Sequence, residues 1–372
     1  MASSKGLAGV VAGDTSISTV GKSGVGLTYR GFSIDDLASH STFEEVAYIL
    51  IYGRLPSKIE LSNYIDTLQS MRSIPSSLQI VLQQIPSSAH PMDVLRTGCS
   101  FLGTIEPETD ANDSVFISNR LLACLPSMLL TWYHHHKGNV FTTNIDEAST
   151  AGFFLHGLHG REPDDIYKRA LDVSLILYAE HEFNASTFAS RITTATLSDI
   201  YSAITSAIGT LRGTLHGGAN EAALSLIKEY SSPVDAVSGV VAKLNSKALI
   251  MGFGHRVYSS CDPRSDIVKL WAKKLTIAKN KKELYRIANS IEKTMWNQKK
   301  LFPNLDFYSS IVYDMCDIPQ SFFTPLFVMA RTAGWASHVM EQRSNNKLIR
   351  PDANYIGPDE TPYVTMEDRC GE

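Results

Sequence analysis

The sequence is short of cysteine: Cys99, Cys124, Cys261, Cys316 and Cys370 are scattered along 372 residues without a CxxC pair. An odd, unpatterned set does not make a disulfide framework and fits reduced thiols in a cytoplasmic protein. Long apolar runs are also missing. The longest, Leu121 to Tyr133, is interrupted by Pro126 and is too short to span a bilayer. The opening "MASSKGLAGVVAGD" lacks an apolar h-region, so no signal peptide is expected. A net charge of −4 gives no nucleic-acid footprint. No repeat or low-complexity tract stands out. At 44% hydrophobic and 19% charged, the composition is that of a globular protein rather than a disordered one.

What is there reads mostly as helix. Residues 7–31 alternate β-formers with glycines and predict a short hairpin or two. After them, Ser33 is an expected N-cap, and Thr42 with Glu45 has capping-box spacing before a helix closed by Gly53 and Pro56. Leu171, Leu175 and Tyr178 fall on one helical face, as do Leu284, Ile287, Ala288, Ile291 and Met295. The acidic, turn-rich segment 104–118 is expected to be a loop. From Arg264 to Lys300 there are 11 Lys and Arg against 3 Asp and Glu, a local +8. That run is either a solvated helical face or a rim that attracts a polyanion.

Several motifs fail on inspection. "VGKSG" at 20–24 lacks the glycine that a phosphate loop needs five residues before Gly21, where Ser16 stands. "MGFGHRV" would put the third glycine of a dinucleotide fingerprint on Val257. The run His134–His136 has no acidic or cysteine partner at ligand spacing, so a helix ending before Gly138 is expected there. His156 and His159 suit a helix C-terminus, with Gly157 and Gly160 as stops.

The remaining signals form a constellation. His216 in "LRGTLHGGANEAA" and His255 in "LIMGFGHRVY" both sit among glycines, which let backbone and substrate approach closely. Asp306 follows Pro303 in "FPNLDFYSS". Two imidazoles and a carboxylate are the groups that proton abstraction beside a carbonyl requires. Arg264, Arg331 and Arg350 add planar cations, and Arg331 lies in the apolar stretch "FVMARTAGW". A buried arginine there needs an anionic partner, either an internal carboxylate or a bound dicarboxylate.

"LHGGANEAA", "MGFGHRVYSSCDPR" and "FPNLDFYSS", in this order, resemble the citrate synthase family from about residue 7 to 365. "YAEHEFNASTF" and "NKLIRPDANYIGP" are most similar to its 2-methylcitrate synthase branch, which serves propionate catabolism. The resemblance implies a mainly α fold: an intertwined homodimer, with a small domain at 221–313 closing on a large one formed by 1–220 and 314–372. It implies condensation of an acyl-CoA, propionyl-CoA by preference, with oxaloacetate and water, and no resident cofactor or metal. Asp306 would be the base, His216 the donor to the thioester oxygen, and His255 the group that polarises the keto carbonyl. His181, Asn184, Arg264 and Arg331 would bind oxaloacetate, with Arg350 reaching from the second subunit and Arg72 a further candidate. The segment Leu249, Ile250, Met251, Gly252 and Phe253 would line the CoA adenine site. The alternatives are citrate synthase acting on acetyl-CoA, a non-catalytic acyl-CoA-binding regulator, and a structural metal protein resting on His134–His136. Nucleic acid and membrane are not expected partners.

Overall fold

The computed structural model describes residues 5–7, 9–21 and 26–369. Near the start, β1 (Ser18–Val20), β2 (Leu27–Tyr29) and β3 (Phe32–Ser33) form an antiparallel sheet in that order, with Thr19 opposite Thr28. The "VGKSG" turn falls largely on 22–25, outside the described residues, as does Cys370.

Among the described residues, all other regular structure is helical apart from one isolated bridge, Phe253 to Pro303. The first helices are α1 (Ile34–His40), α2 (Phe43–Tyr52), α3 (Lys58–Ser70), α4 (Ser76–Gln84) and α5 (Pro91–Ile105). Then come α6 (Ser114–His136), α7 (Thr150–His159), α8 (Asp165–Tyr178), α9 (Ala185–Ala195) and α10 (Ile200–Leu211). The last are α11 (Ala219–Lys228), α12 (Pro233–Asn245), α13 (Pro263–Ala278), α14 (Lys282–Lys299), α15 (Leu305–Met315) and α16 (Phe323–Ser344).

Local chemistry explains the boundaries. Ser33 and Thr42 accept from the amides of Asp36 and Glu45 as N-caps. The Glu45 carboxylate turns instead to the Ser41 hydroxyl, at 2.6 Å, so the reciprocal half of that box is missing. A complete capping box forms at Ser57 and Glu60, just after Pro56. Gly53 and Gly160 end their helices in the left-handed conformation. Gly157 is not a stop. It lies inside α7, where an added Cβ would come within 2.8 Å of Leu130, so its role is close packing. The acidic loop is shorter than expected, because α5 runs to Ile105 and Asp113 caps α6.

Two long buried helices organise the core. The helix α6 continues through Pro126 for 23 residues. By length and composition it could cross a membrane, yet 78% of its most apolar window is buried within the fold. The helix α16 is buried from Phe323 to Val339 and packs on α2, α6, α8, α9 and α10. The helices α11 to α15 pack mainly on one another and meet the rest through α1, α8 and α16.

The extended link after α8 passes tightly across α16 at Gly334. A Cβ there would lie 2.3 Å from a Glu180 carboxylate oxygen and 2.4 Å from the Ala179 carbonyl. Backbone and a buried charge cannot both give way, so Gly334→Ala should destabilise the fold by roughly 1–3 kcal/mol. Thermal unfolding of the variant should show a lowered midpoint; an unchanged midpoint would contradict this packing.

Candidate functional site

The glycine-bearing motif of His255 and the "FPNLDFYSS" motif of Asp306 are built against each other. The Gly254 amide donates to the Phe302 carbonyl (2.8 Å), and the Asn304 amide donates to the Gly252 carbonyl (2.9 Å). The Asn304 side chain adds a 3.1 Å bond to the Gly254 carbonyl, so Phe253 and Pro303 form an antiparallel bridge. Gly252 and Gly254 have φ of +88° and +73°, and a Cβ on Gly252 would press on Phe307 at 3.1 Å. Glycine is needed there for both conformation and space. His255 leaves one side of this bridge. On the other, Asn304 caps α15 and places Asp306 in its first turn.

Hydrogen-bond partners define the imidazoles. His255 Nδ1 accepts from the amides of Val257 (3.1 Å) and Tyr258 (3.2 Å). An amide only donates, so Nδ1 is unprotonated and Nε2 carries the hydrogen. His216 Nε2 accepts from the Ser186 amide at 3.3 Å and meets the Ser186 hydroxyl at 2.8 Å, which leaves the hydrogen on Nδ1. Burial, and then the nearby guanidinium, lowers both pKa values to about 4: Arg331 for His216 and Arg264 for His255. Both rings are therefore neutral near pH 7, each with one N–H donor that has no partner among the described residues. A Cβ at Gly217 would lie 2.2 Å from the Leu211 carbonyl, which explains the glycine after His216.

The cations are set deeply. Arg331 is 1% exposed; its Nε donates to the Tyr178 carbonyl at 2.7 Å, and the guanidinium lies 4.6 Å from the Phe327 ring centre. Its two Nη groups have no hydrogen bond among the described residues, and burial lowers its pKa to about 10. Arg264 grips Asp262 through Nε (2.9 Å) and Nη2 (2.8 Å), leaving Nη1. Asp262 also accepts from the Leu305 amide at 3.1 Å, tying α13 to the start of α15.

His216, His255 and Asp306 are not joined directly by hydrogen bond or ring contact among the described residues. They share neighbours. Phe327 touches both His216 and Tyr178, and the Tyr178 phenol donates to Asp306. His181 lies 5.0 Å from His255, ring to ring, and 3.2 Å from the Tyr258 hydroxyl. Arg264 and Arg331 both act electrostatically on His181 and Asp306. Burial raises the pKa of Asp306, against the hydrogen bond from Tyr178 and the two guanidiniums.

Behind the pocket, Glu180 accepts from Ser18 (2.9 Å) and from His338 Nε2 (3.0 Å). Burial would raise its pKa, but His338 and Arg331 outweigh that, so its carboxylate stays charged. His338 Nδ1 takes a 2.9 Å bond from Arg191, which also binds Glu341 at 2.7 Å.

Asn184 belongs to this cluster through its neighbours. Its amide donates to the His181 and Glu182 carbonyls while its oxygen caps α9 and receives the Ser186 hydroxyl at 2.8 Å. It shapes the seats of His181 and His216 without a spare polar atom of its own. Arg72 stands apart. Its buried guanidinium donates to the carbonyls of Glu147, Ala148 and Ser149 and stacks on Phe153, so it serves as a structural clamp on α7. Arg350 is exposed and, among the described residues, paired with Asp352 alone, at 2.8 Å. Leu249 is exposed, whereas Ile250 and Gly252 are buried beside the bridge. His134 and His136 turn Nε2 to the carbonyls of Gly157 and Ile85, each at 2.8 Å, which is a helix-end role.

Tyr178, Glu180, Ser186, Phe327 and His338 are the parts that the motif reading did not single out. For Ser186 the signal was available, since "NAS" marks a helix start; Tyr178 read as part of an apolar helical face.

The family model described as "Citrate synthase, C-terminal domain" matches residues 6–352. A protein named 2-methylcitrate synthase from Shewanella oneidensis is 49% identical over 365 residues, covering 98% of this chain and 97% of its own. Citrate synthase 2 of Bacillus subtilis is 41% identical over the full length of both. Among solved structures, the citrate synthase of Thermoplasma acidophilum in ternary complex with carboxymethyl coenzyme A and oxaloacetate aligns with a TM-score of 0.91. It is 33% identical, covering 98% of this chain and 99% of that one. Matched from end to end in sequence and in fold, this chain belongs to the citrate synthase family of enzymes.

Proposed function

We propose that the protein is a 2-methylcitrate synthase, condensing propionyl-CoA with oxaloacetate and water to give 2-methylcitrate and CoA. The observation that carries the reading is the buried Arg331, whose two Nη groups are unmatched among the described residues and stand near neutral His181 and His216, while Arg264 stands near neutral His255. A buried cation with open donors fits a small dicarboxylate. The 49% identity to a named 2-methylcitrate synthase favours propionyl-CoA as the acyl donor.

In this reading Arg264 and Arg331 hold the carboxylates of oxaloacetate, and His255 Nε2–H polarises its keto oxygen. Asp306 removes the α-proton of the thioester while His216 Nδ1–H bonds the developing enol oxygen. The enol carbon attacks the keto carbon, forming the C–C bond, and the new alkoxide takes the proton from His255. Water then hydrolyses the thioester and releases the CoA thiol. No resident cofactor or metal takes part.

Residues 221–313 form the small domain of this proposal, and 1–220 with 314–372 the large one. The division is supported by α11 to α15 packing mainly on one another. Oxaloacetate bridging Arg264 and Arg331 would draw the two together. Leu249 to Phe253, with the basic helices α13 and α14, would receive the nucleotide of CoA. A homodimer is supported by the tail after α16, where Tyr355, Ile356 and Tyr363 are 75%, 90% and 81% exposed. Such side chains suit cover by a second copy, with Arg350 completing its neighbour's site.

Free thiol release should be followed with oxaloacetate and acetyl-, propionyl- or butyryl-CoA. Propionyl-CoA should give the highest kcat/KM, with acetyl-CoA lower by about 10–200-fold, the reach of one methylene in an apolar pocket. Faster turnover of acetyl-CoA would make the protein a citrate synthase, and no thiol release from any donor would make it a binder. Two substitutions should separate the substrates. Asp306→Ala should nearly abolish turnover while leaving oxaloacetate affinity within a few fold. Arg331→Ala should weaken oxaloacetate binding by roughly 3–5 kcal/mol, measured by calorimetry, because a buried charge loses its partner. Near-normal turnover in Asp306→Ala would exclude it as the base.

A further inference from the structure

Tyr178 is the last residue of α8 and is buried, with its phenol reaching across to α15. The hydroxyl donates to Asp306 Oδ1 and lies 2.8 Å from Ser309 Oγ, one turn further along α15. Ser309 in turn donates to the Asp306 carbonyl at 3.2 Å. The ring is held by Phe327, centroid to centroid 4.7 Å, and the Tyr178 carbonyl by Arg331. One residue thus links the carboxylate, the guanidinium of Arg331 and the aromatic wall under His216. Oδ2 of Asp306 carries no hydrogen bond among the described residues.

We propose that Tyr178 is a positioning residue for the base: its phenol fixes Oδ1 of Asp306 and aims Oδ2 at the α-carbon of the acyl-CoA. The inference rests on Asp306 as base and adds how a half-buried carboxylate is kept fit for that task. The groups that face Asp306 are Tyr178 on α8, Tyr313 on α15, Asp262 and Arg264 at the start of α13, and Arg331 on α16. Asp262 is itself gripped by Arg264, so the pair adds little net charge. Burial works against ionisation, and among the described residues Tyr178 supplies the one direct side-chain hydrogen bond that favours it. The phenol itself is held well above its ordinary pKa by burial and by Asp306, so it remains a donor throughout the working range.

The test is Tyr178→Phe in the full chain, which keeps the ring on Phe327 and removes only the hydroxyl. Losing a hydrogen bond to a charged group should raise the Asp306 pKa. The acid limb of kcat/KM for acyl-CoA should then move up by about one to two pH units. At neutral pH kcat should fall about tenfold or more, while KM for oxaloacetate stays unchanged. A purely structural role would lower stability without moving the limb. Asp306→Ala in the same assay checks the base itself, so a failure there is distinct from a failure here. Should Tyr178→Phe not fold, Ser309→Ala decides, with a smaller upward displacement of the same limb expected. A wild-type limb in the folded variant overturns the proposal.

Discussion

A guanidinium taken out of water is the constraint around which this site is built. Burying Arg331 at 1% exposure costs several kcal/mol unless opposite charge and hydrogen bonds are supplied. Among the described residues it finds one bond, from Nε to the Tyr178 carbonyl, and one buried carboxylate, Glu180. Glu180 is in turn steadied by His338, Arg191 and Glu341, a chain of paired charges ending at Ser16 near the β-sheet. The compensation is incomplete, since burial still lowers the Arg331 pKa to about 10. In the proposed reading that deficit is what a bound anion would make good. The neighbouring histidines are neutral first because they are buried and then because the guanidiniums are close. Imidazoliums beside Arg264 and Arg331 would add like charge to a pocket already short of negative charge.

The second element is backbone geometry. The bridge between Phe253 and Pro303 lets two distant stretches deliver His255 and Asp306 from adjacent strands of chain. Gly252 and Gly254 make that bridge possible, and Gly217 lets the His216 loop fold against the Leu211 carbonyl. Gly334 does the same for the link carrying Tyr178, Glu180 and His181. His216 and His255 are each then held in one tautomer because backbone amides donate to the other ring nitrogen. Such preorganisation is what electrostatic catalysis asks of a scaffold.

Much of this was legible in the sequence. Ser33, Thr42 and Gly53 announced their helix ends, and the stripe Ile287, Ile291 and Met295 announced a buried face. His216, His255 and Asp306 stood out because glycine or proline surrounds them. The misses share a cause: a residue's type says what it can bond, not what lies opposite. Tyr178 on an apolar stripe reads as core, and only the fold sets its hydroxyl against Asp306. Arg72 reads as a ligand arginine, yet the turn before α7 presents carbonyls that need donors. Gly157 reads as a helix stop until Leu130 and Phe141 are packed on it.

A crystal structure of the complex with oxaloacetate and a non-reactive acyl-CoA analogue tests the central claim most directly. A carboxylate of oxaloacetate should lie on the open Nη groups of Arg331, with its keto oxygen on His255 Nε2 and the analogue's acyl carbon between His216 Nδ1 and Asp306 Oδ2. Oxaloacetate bound away from Arg331, or His255 turned to present Nδ1, would contradict the account.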